Sequence, residues 1–108
     1  MPSVTILIPE ASMPTSAALD ALSSACDRLC TDVLSAAPGT VHVLYVPVRH
    51  GCGLPVSAEI RFRITSFRTT ELMDRFMTEL DHEILRHTGF VARIRCFGYD
   101  TTHLHARH

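Results

Sequence analysis

The spacing of apolar positions changes repeatedly along the chain, and the changes come round twice. Val4 to Ile8 is a short apolar run closed by Pro9, with the length and β-branched content of a strand. Leu19, Leu22, Cys26, Leu29, Val33 and Leu34 then recur mostly at steps of three and four, the period of one helix face. Thr15 or Ser16 is placed to cap that helix, and Ala36-Ala37-Pro38-Gly39 to stop it. "VHVLYVPV", from Val41 to Val48, predicts a second strand. The same order then returns. Ala58, Ile60, Phe62 and Ile64 alternate with Glu59, Arg61, Arg63 and Thr65, as in a strand with one core face. Thr69 or Thr70 caps a second helix striped by Leu72, Phe76, Leu80 and Ile84, with Glu71 near its positive end and Gly89 at its close. "FVARIRCFGYD" supplies a fourth strand.

The pattern predicts an α+β fold, β-α-β-β-α-β, in a single domain over residues 1–100. One strand–helix–strand unit spans about 3–48 and the other about 58–98, joined by "RHGCGLP" from Arg49 to Pro55. The tail "TTHLHARH", 101–108, is expected to be flexible. Right-handed crossovers put both helices on one face of a four-stranded sheet. Glu59, Arg61 and Arg63 then lie on the other face, and Arg93 and Arg95 join them if Ile94 turns to the helices. Val41, Val43 and Tyr45, or their alternates, must share that face. A mixed apolar and charged face of this kind predicts association with further subunits.

Composition narrows the function. The 108 residues suit one domain, and with 46% apolar and 19% charged residues the chain is globular rather than disordered. A formal net charge of −1 favours neither nucleic acid nor an anionic membrane. No apolar run reaches the length of a membrane helix and no signal-peptide pattern opens the chain, so a cytoplasmic protein is expected. Every basic residue other than histidine is an arginine, the planar fork that suits carboxylates. Cys26, Cys30, Cys52 and Cys96 have no CxxC spacing, and the first two are expected to be buried apolar residues. His103, His105 and His108 lie in the tail without carboxylates or cysteines at ligand spacing, and His42 is expected to be an interior, hydrogen-bonded histidine. With no zinc motif and no glycine-rich phosphate loop, no metal or cofactor is expected.

Three stretches carry a family resemblance. A proline directly follows the initiator methionine, ahead of "SVTILIPEASMP"; "VHV" opens the second strand; "FRITSFRTTELMDRF" joins the third strand to the second helix. In this order and spacing they resemble the tautomerase superfamily, which includes 4-oxalocrotonate tautomerase, macrophage migration inhibitory factor and malonate semialdehyde decarboxylase. The resemblance implies a trimer with sheets inside and helices outside, and a pocket around the amine of Pro2 once Met1 is removed. It matches Arg68 to the arginine that binds a substrate carboxylate in decarboxylase-like members. The second arginine of that group is replaced by Ser66, and the lysine of macrophage migration inhibitory factor has no counterpart.

The resemblance implies a tautomerase or isomerase in which Pro2 is the general base on a small keto/enol carboxylic acid. Arg68 and then Arg95 are the candidate anion binders, with Arg63, Arg61 and Phe97 as weaker ones. A Pro2 amine that stayed protonated would serve a decarboxylase or hydratase instead. Two readings compete: a tautomerase fold without activity, and a ferredoxin-like oligomeric binding module with the same element order. An RNA-binding module of that kind would need stacking aromatics on the first and third strands, and strand one has none.

Overall fold

A computed structural model describes residues 2–108. β1 (Ser3–Pro9), α1 (Ser16–Asp32) and β2 (His42–Val48) form the first unit, and β3 (Val56–Arg63), α2 (Thr70–Thr88) and β4 (Ala92–Tyr99) the second. Both helices begin as the hydroxyl spacing predicts. Thr15 Oγ1 accepts from the Ala18 amide at 3.2 Å, and Thr69 Oγ1 from the Leu72 amide at 3.3 Å, each satisfying an otherwise orphaned helical N–H. Gly89 closes α2 in the left-handed region, at φ 79°, and its amide donates to the Leu85 carbonyl.

The sheet order is β2-β1-β3-β4. β1 runs parallel to β2, β3 parallel to β4, and the two units meet along the antiparallel β1–β3 pair, where Ser3 stands opposite Arg61. In a ferredoxin-like split βαβ, the two strands flanking each helix are not neighbours. Here they pair directly, which removes the ferredoxin-like alternative.

One core fills the space between helices and sheet. Val4, Ile6 and Ile8 of β1 and Val56, Ala58, Ile60 and Phe62 of β3 meet Leu22, Cys26 and Cys30 of α1 and Phe76, Leu80 and Ile84 of α2. Each large apolar side chain so enclosed contributes about 1.5–3 kcal/mol. Arg61, Arg63, Arg93 and Arg95 alternate with core residues on β3 and β4, as expected of the open face.

The structure corrects the sequence reading at two points. α1 ends at Asp32, short of the proline–glycine punctuation; Val33 and Leu34 stay buried beyond it, and Ser35 turns the chain at φ 57°. β2 resolves its ambiguous phase: Val43 and Tyr45 pack toward the core, so Leu44 and Val46 are the alternates left on the open face. The Tyr45 hydroxyl lies 2.9 Å from Ser23 Oγ and 3.1 Å from the Leu19 carbonyl oxygen, tying β2 to α1. His42 is therefore exposed rather than interior. At the end of the chain, Thr101–His103 forms one 3-10 turn, with the Thr102 amide donating to Asp100 Oδ1 at 3.0 Å.

Candidate functional site

Pro2 sits at the start of β1, its ring buried and its carbonyl accepting from the His42 amide at 3.2 Å. Topology decides what surrounds it. Because β1 and β2 are parallel, the α1–β2 loop returns to the start of β1, bringing Ser35, Ala36, Ala37 and Thr40. Because β3 is antiparallel to β1, the end of β3 and the turn into α2 arrive from the other side, bringing Arg63, Phe67 and Arg68. Together they line a cleft of about 290 Å³.

Arg68 is the fixed cation of this cleft. Its Nε donates to the Leu34 carbonyl at 3.0 Å and its Nη1 to the Arg63 carbonyl at 2.9 Å, and the guanidinium lies 5.4 Å from the centre of the Phe67 ring. Two backbone anchors restrict the side chain while the Nη2 amino group has no protein partner among the described residues. Partial burial, and then the positive charge of Arg63, lower its pKa from the ordinary arginine value. An arginine remains charged at neutral pH regardless. Such a site favours an incoming anion, whose charge relieves both penalties.

The other sequence-predicted residues do not line the Pro2 cleft. Arg95 curls back at the sheet edge, donating from Nη1 to the Ile94 carbonyl at 2.9 Å, and borders a second cleft on the helix side that Arg68 also lines. Arg61 and Phe97 face each other on the open sheet face, with the guanidinium 5.5 Å from the ring centre, and Arg61 pairs with Glu59 at 3.6 Å. The sequence reading leaves the α1–β2 loop residues out of the site. The predicted β-α-β order held the signal, since the second strand of a parallel pair starts beside the start of the first.

The buried thiols have no role at Pro2. Burial pushes Cys26 and Cys30 up to about 12, so both stay protonated and unreactive at neutral pH. Among the described residues, no group of three or more His, Cys, Asp or Glu side chains is placed to hold a metal ion, and no helix is long and apolar enough to cross a membrane.

Comparison with known proteins separates sequence from structure. No family model matches the chain, and no curated protein is similar to it in sequence. Solved structures do match. A macrophage migration inhibitory factor from Toxoplasma gondii superposes with a TM-score of 0.77 at 19% identity, covering 96% of this chain and 95% of that one. The chain has the tautomerase fold. A fused 4-OT solved as an asymmetric trimer matches with a TM-score of 0.77 at 14% identity, covering 96% of this chain and 91% of that one. A macrophage migration inhibitory factor-like protein from Entamoeba histolytica gives 0.76 at 12% identity, covering 99% and 96%. The tautomerase fold thus spans nearly the whole chain at identities that leave its chemistry to be argued from its own residues.

Proposed function

We propose that this protein is a tautomerase- or isomerase-type enzyme in which the Pro2 amine, freed by removal of Met1, is the general base acting on a small keto/enol carboxylic acid. The observation that carries the reading is the grouping of Pro2, Arg63 and Arg68 around one cleft. An α-amino group titrates near 8 in an unperturbed chain. Two neighbouring guanidiniums and burial disfavour its protonated form and so favour the free base. A free secondary amine there takes a proton from the carbon beside a carbonyl and returns it elsewhere on the same skeleton. Arg68 holds the carboxylate, assisted by Arg63, and stabilises the negative charge that develops on the enolate.

The same reading makes the protein a homotrimer, with the open sheet face inside. Leu44, at 62% exposure, and Phe97, at 47%, are apolar side chains that such an assembly would cover. Arg61 and Arg93 then belong to subunit contacts, where ion pairs fix register.

Processing of Met1 lies outside the described residues, so the test begins with the intact mass of untagged protein. Loss of one methionine is expected, together with enol–keto conversion of phenylpyruvate-like acids. Pro2→Ala is expected to lower kcat/KM by about 10²–10⁴, the usual contribution of a general base. A mass that retains Met1 overturns the reading, because the Pro2 nitrogen is then a tertiary amide. The protein would instead be a tautomerase fold without that chemistry.

A further inference from the structure

The larger cleft at this end of the molecule is not used by the Pro2 chemistry. It is a pit of about 480 Å³ where the first turns of α2 leave the ends of β3 and β4 uncovered. That volume lies within the range of small-molecule sites, about 300–1,000 Å³. Its floor is apolar, from Phe62, Met73, Met77 and Ile94, and its rim carries Arg68 and Arg95. Gly98 helps to define it. This glycine needs no unusual backbone angle; its missing side chain is a matter of room, since a Cβ would come within 3.0 Å of Ile64 Cγ1 and 3.1 Å of Phe62 Cζ. A larger residue there would have to displace these two side chains at the pit wall. Thioethers at Met73 and Met77 add a floor that adapts to different shapes.

The rim charges are unmatched. Arg61, Arg75 and Arg86 each have a carboxylate within 4.0 Å, whereas among the described residues Arg68 and Arg95 donate to backbone carbonyls alone. Asp74 also borders the pit and leaves its formal rim charge at +1, which suits a single carboxylate better than a dianion. Apolar floor and net cationic rim together describe a site for an anionic amphiphile.

We propose that this pit binds a monocarboxylic acid with an apolar tail of medium length, its carboxylate at Arg95 and Arg68 and its tail over Met73 and Met77. Arg68 lines the Pro2 cleft as well, so an occupied pit competes for the guanidinium that the Pro2 cleft uses. This coupling rests on the function proposed above; the binding itself does not. By linkage, the ligand weakens carboxylate binding beside Pro2 by the same factor as the reverse.

The test is calorimetric titration of octanoate into the full-length protein, with octylamine as the control of opposite charge. Octanoate is expected to bind once per chain, and octylamine is not. Pro2→Ala is expected to bind octanoate unchanged, which keeps this result separate from the fate of the Pro2 mechanism. Arg95→Gln is expected to weaken octanoate about tenfold through loss of a charge-assisted contact. Met77→Trp, which fills the pit, is expected to abolish binding; Met77→Gln serves the same purpose by making the floor polar if the tryptophan variant fails to fold. Absence of octanoate binding, equal binding of octylamine, loss of binding in Pro2→Ala, or full binding in both Met77 variants would each overturn the proposal.

Discussion

Between β1, α1 and β2 on one side and β3, α2 and β4 on the other, the backbone plan repeats while the side chains diverge. β1 and β2 carry no arginine, whereas β3 and β4 carry four: Arg61, Arg63, Arg93 and Arg95. α1 buries a row that is small or sulfur-bearing after Leu22, namely Ala25, Cys26 and Cys30, while α2 buries Met73, Phe76, Leu80 and Ile84. A proline stands directly before the first strand of each unit, Pro2 before Ser3 and Pro55 before Val56. Only the first can ever have a basic nitrogen, because Pro55 is locked between two peptide bonds. Repetition thus duplicated the scaffold without duplicating the site. The first unit supplies the candidate amine, the second supplies the guanidiniums, and the antiparallel β1–β3 pair sets them side by side.

The largest effect expected to separate the two helices is alkaline. Cys26 and Cys30 rise from 9.0 to about 12, principally through burial. Below 9 the thiols are protonated in both folded and unfolded chains, so stability is fully present. As pH rises past 9.0 the unfolded thiols ionise and the folded ones do not, and stability falls by about 1.4 kcal/mol per pH unit for each thiol. Urea unfolding at about pH 8 and about pH 10 reads this difference directly. Cys26→Ala/Cys30→Ala lowers stability at the milder pH and flattens the dependence, leaving the smaller part due to half-buried Cys96, raised to about 11, and to Tyr45, raised to about 12. Ile84→Val, in the core row of α2, costs about 0.5–1.5 kcal/mol at both values equally. An unchanged slope in the double cysteine variant would place the alkaline sensitivity elsewhere.

These contrasts were legible in the sequence to different depths. Alternation identified β3 because its two faces differ in polarity, and the period of α2 was clean from Leu72 to Ile84. β2 defeated the same method: in "HVLYVPV" both alternating sets contain apolar residues, so polarity could not choose the face that meets α1. The apolar pattern overshoots the end of α1 because Val33 and Leu34 continue it after the helix has ended at Asp32. Resemblance points to Pro2 and Arg68, but their meeting is tertiary. It depends on strand directions that bring residues more than sixty positions apart to one end of the sheet.

Arg68 and Arg63 line the same cleft under different restraints, and replacing each tells restraint from charge. Arg68→Gln removes a charge-assisted contact worth about 1.5–3 kcal/mol, so kcat/KM is expected to fall about 10- to 100-fold. It also leaves the Leu34 and Arg63 carbonyls without their donor, so the unfolding midpoint falls too. Arg63 is exposed and its side chain donates none of these bonds. Arg63→Gln is therefore expected to lower kcat/KM less and leave the unfolding midpoint in place. Equal activity losses with equal loss of stability would mean that the cleft is sensitive to folding alone.

The smallest difference uses the two helix caps as a matched pair. Thr15 and Thr69 make the same bond, at 3.2 Å and 3.3 Å, so Thr15→Ala and Thr69→Ala should each cost about 1 kcal/mol of stability. Their positions differ. Thr15 lies where β1 has already run its length away from Pro2, whereas Thr69 directly follows Arg68 and holds the first turn of α2. Fraying that turn releases the guanidinium from its two carbonyl anchors; fraying the first turn of α1 touches nothing at the cleft. Thr69→Ala is accordingly expected to lower kcat/KM several-fold at unchanged pH, and Thr15→Ala to leave it as it was. Matched stability with unmatched activity would locate the site at the start of the second helix, and matched losses of both would show that any loosening of the fold is enough.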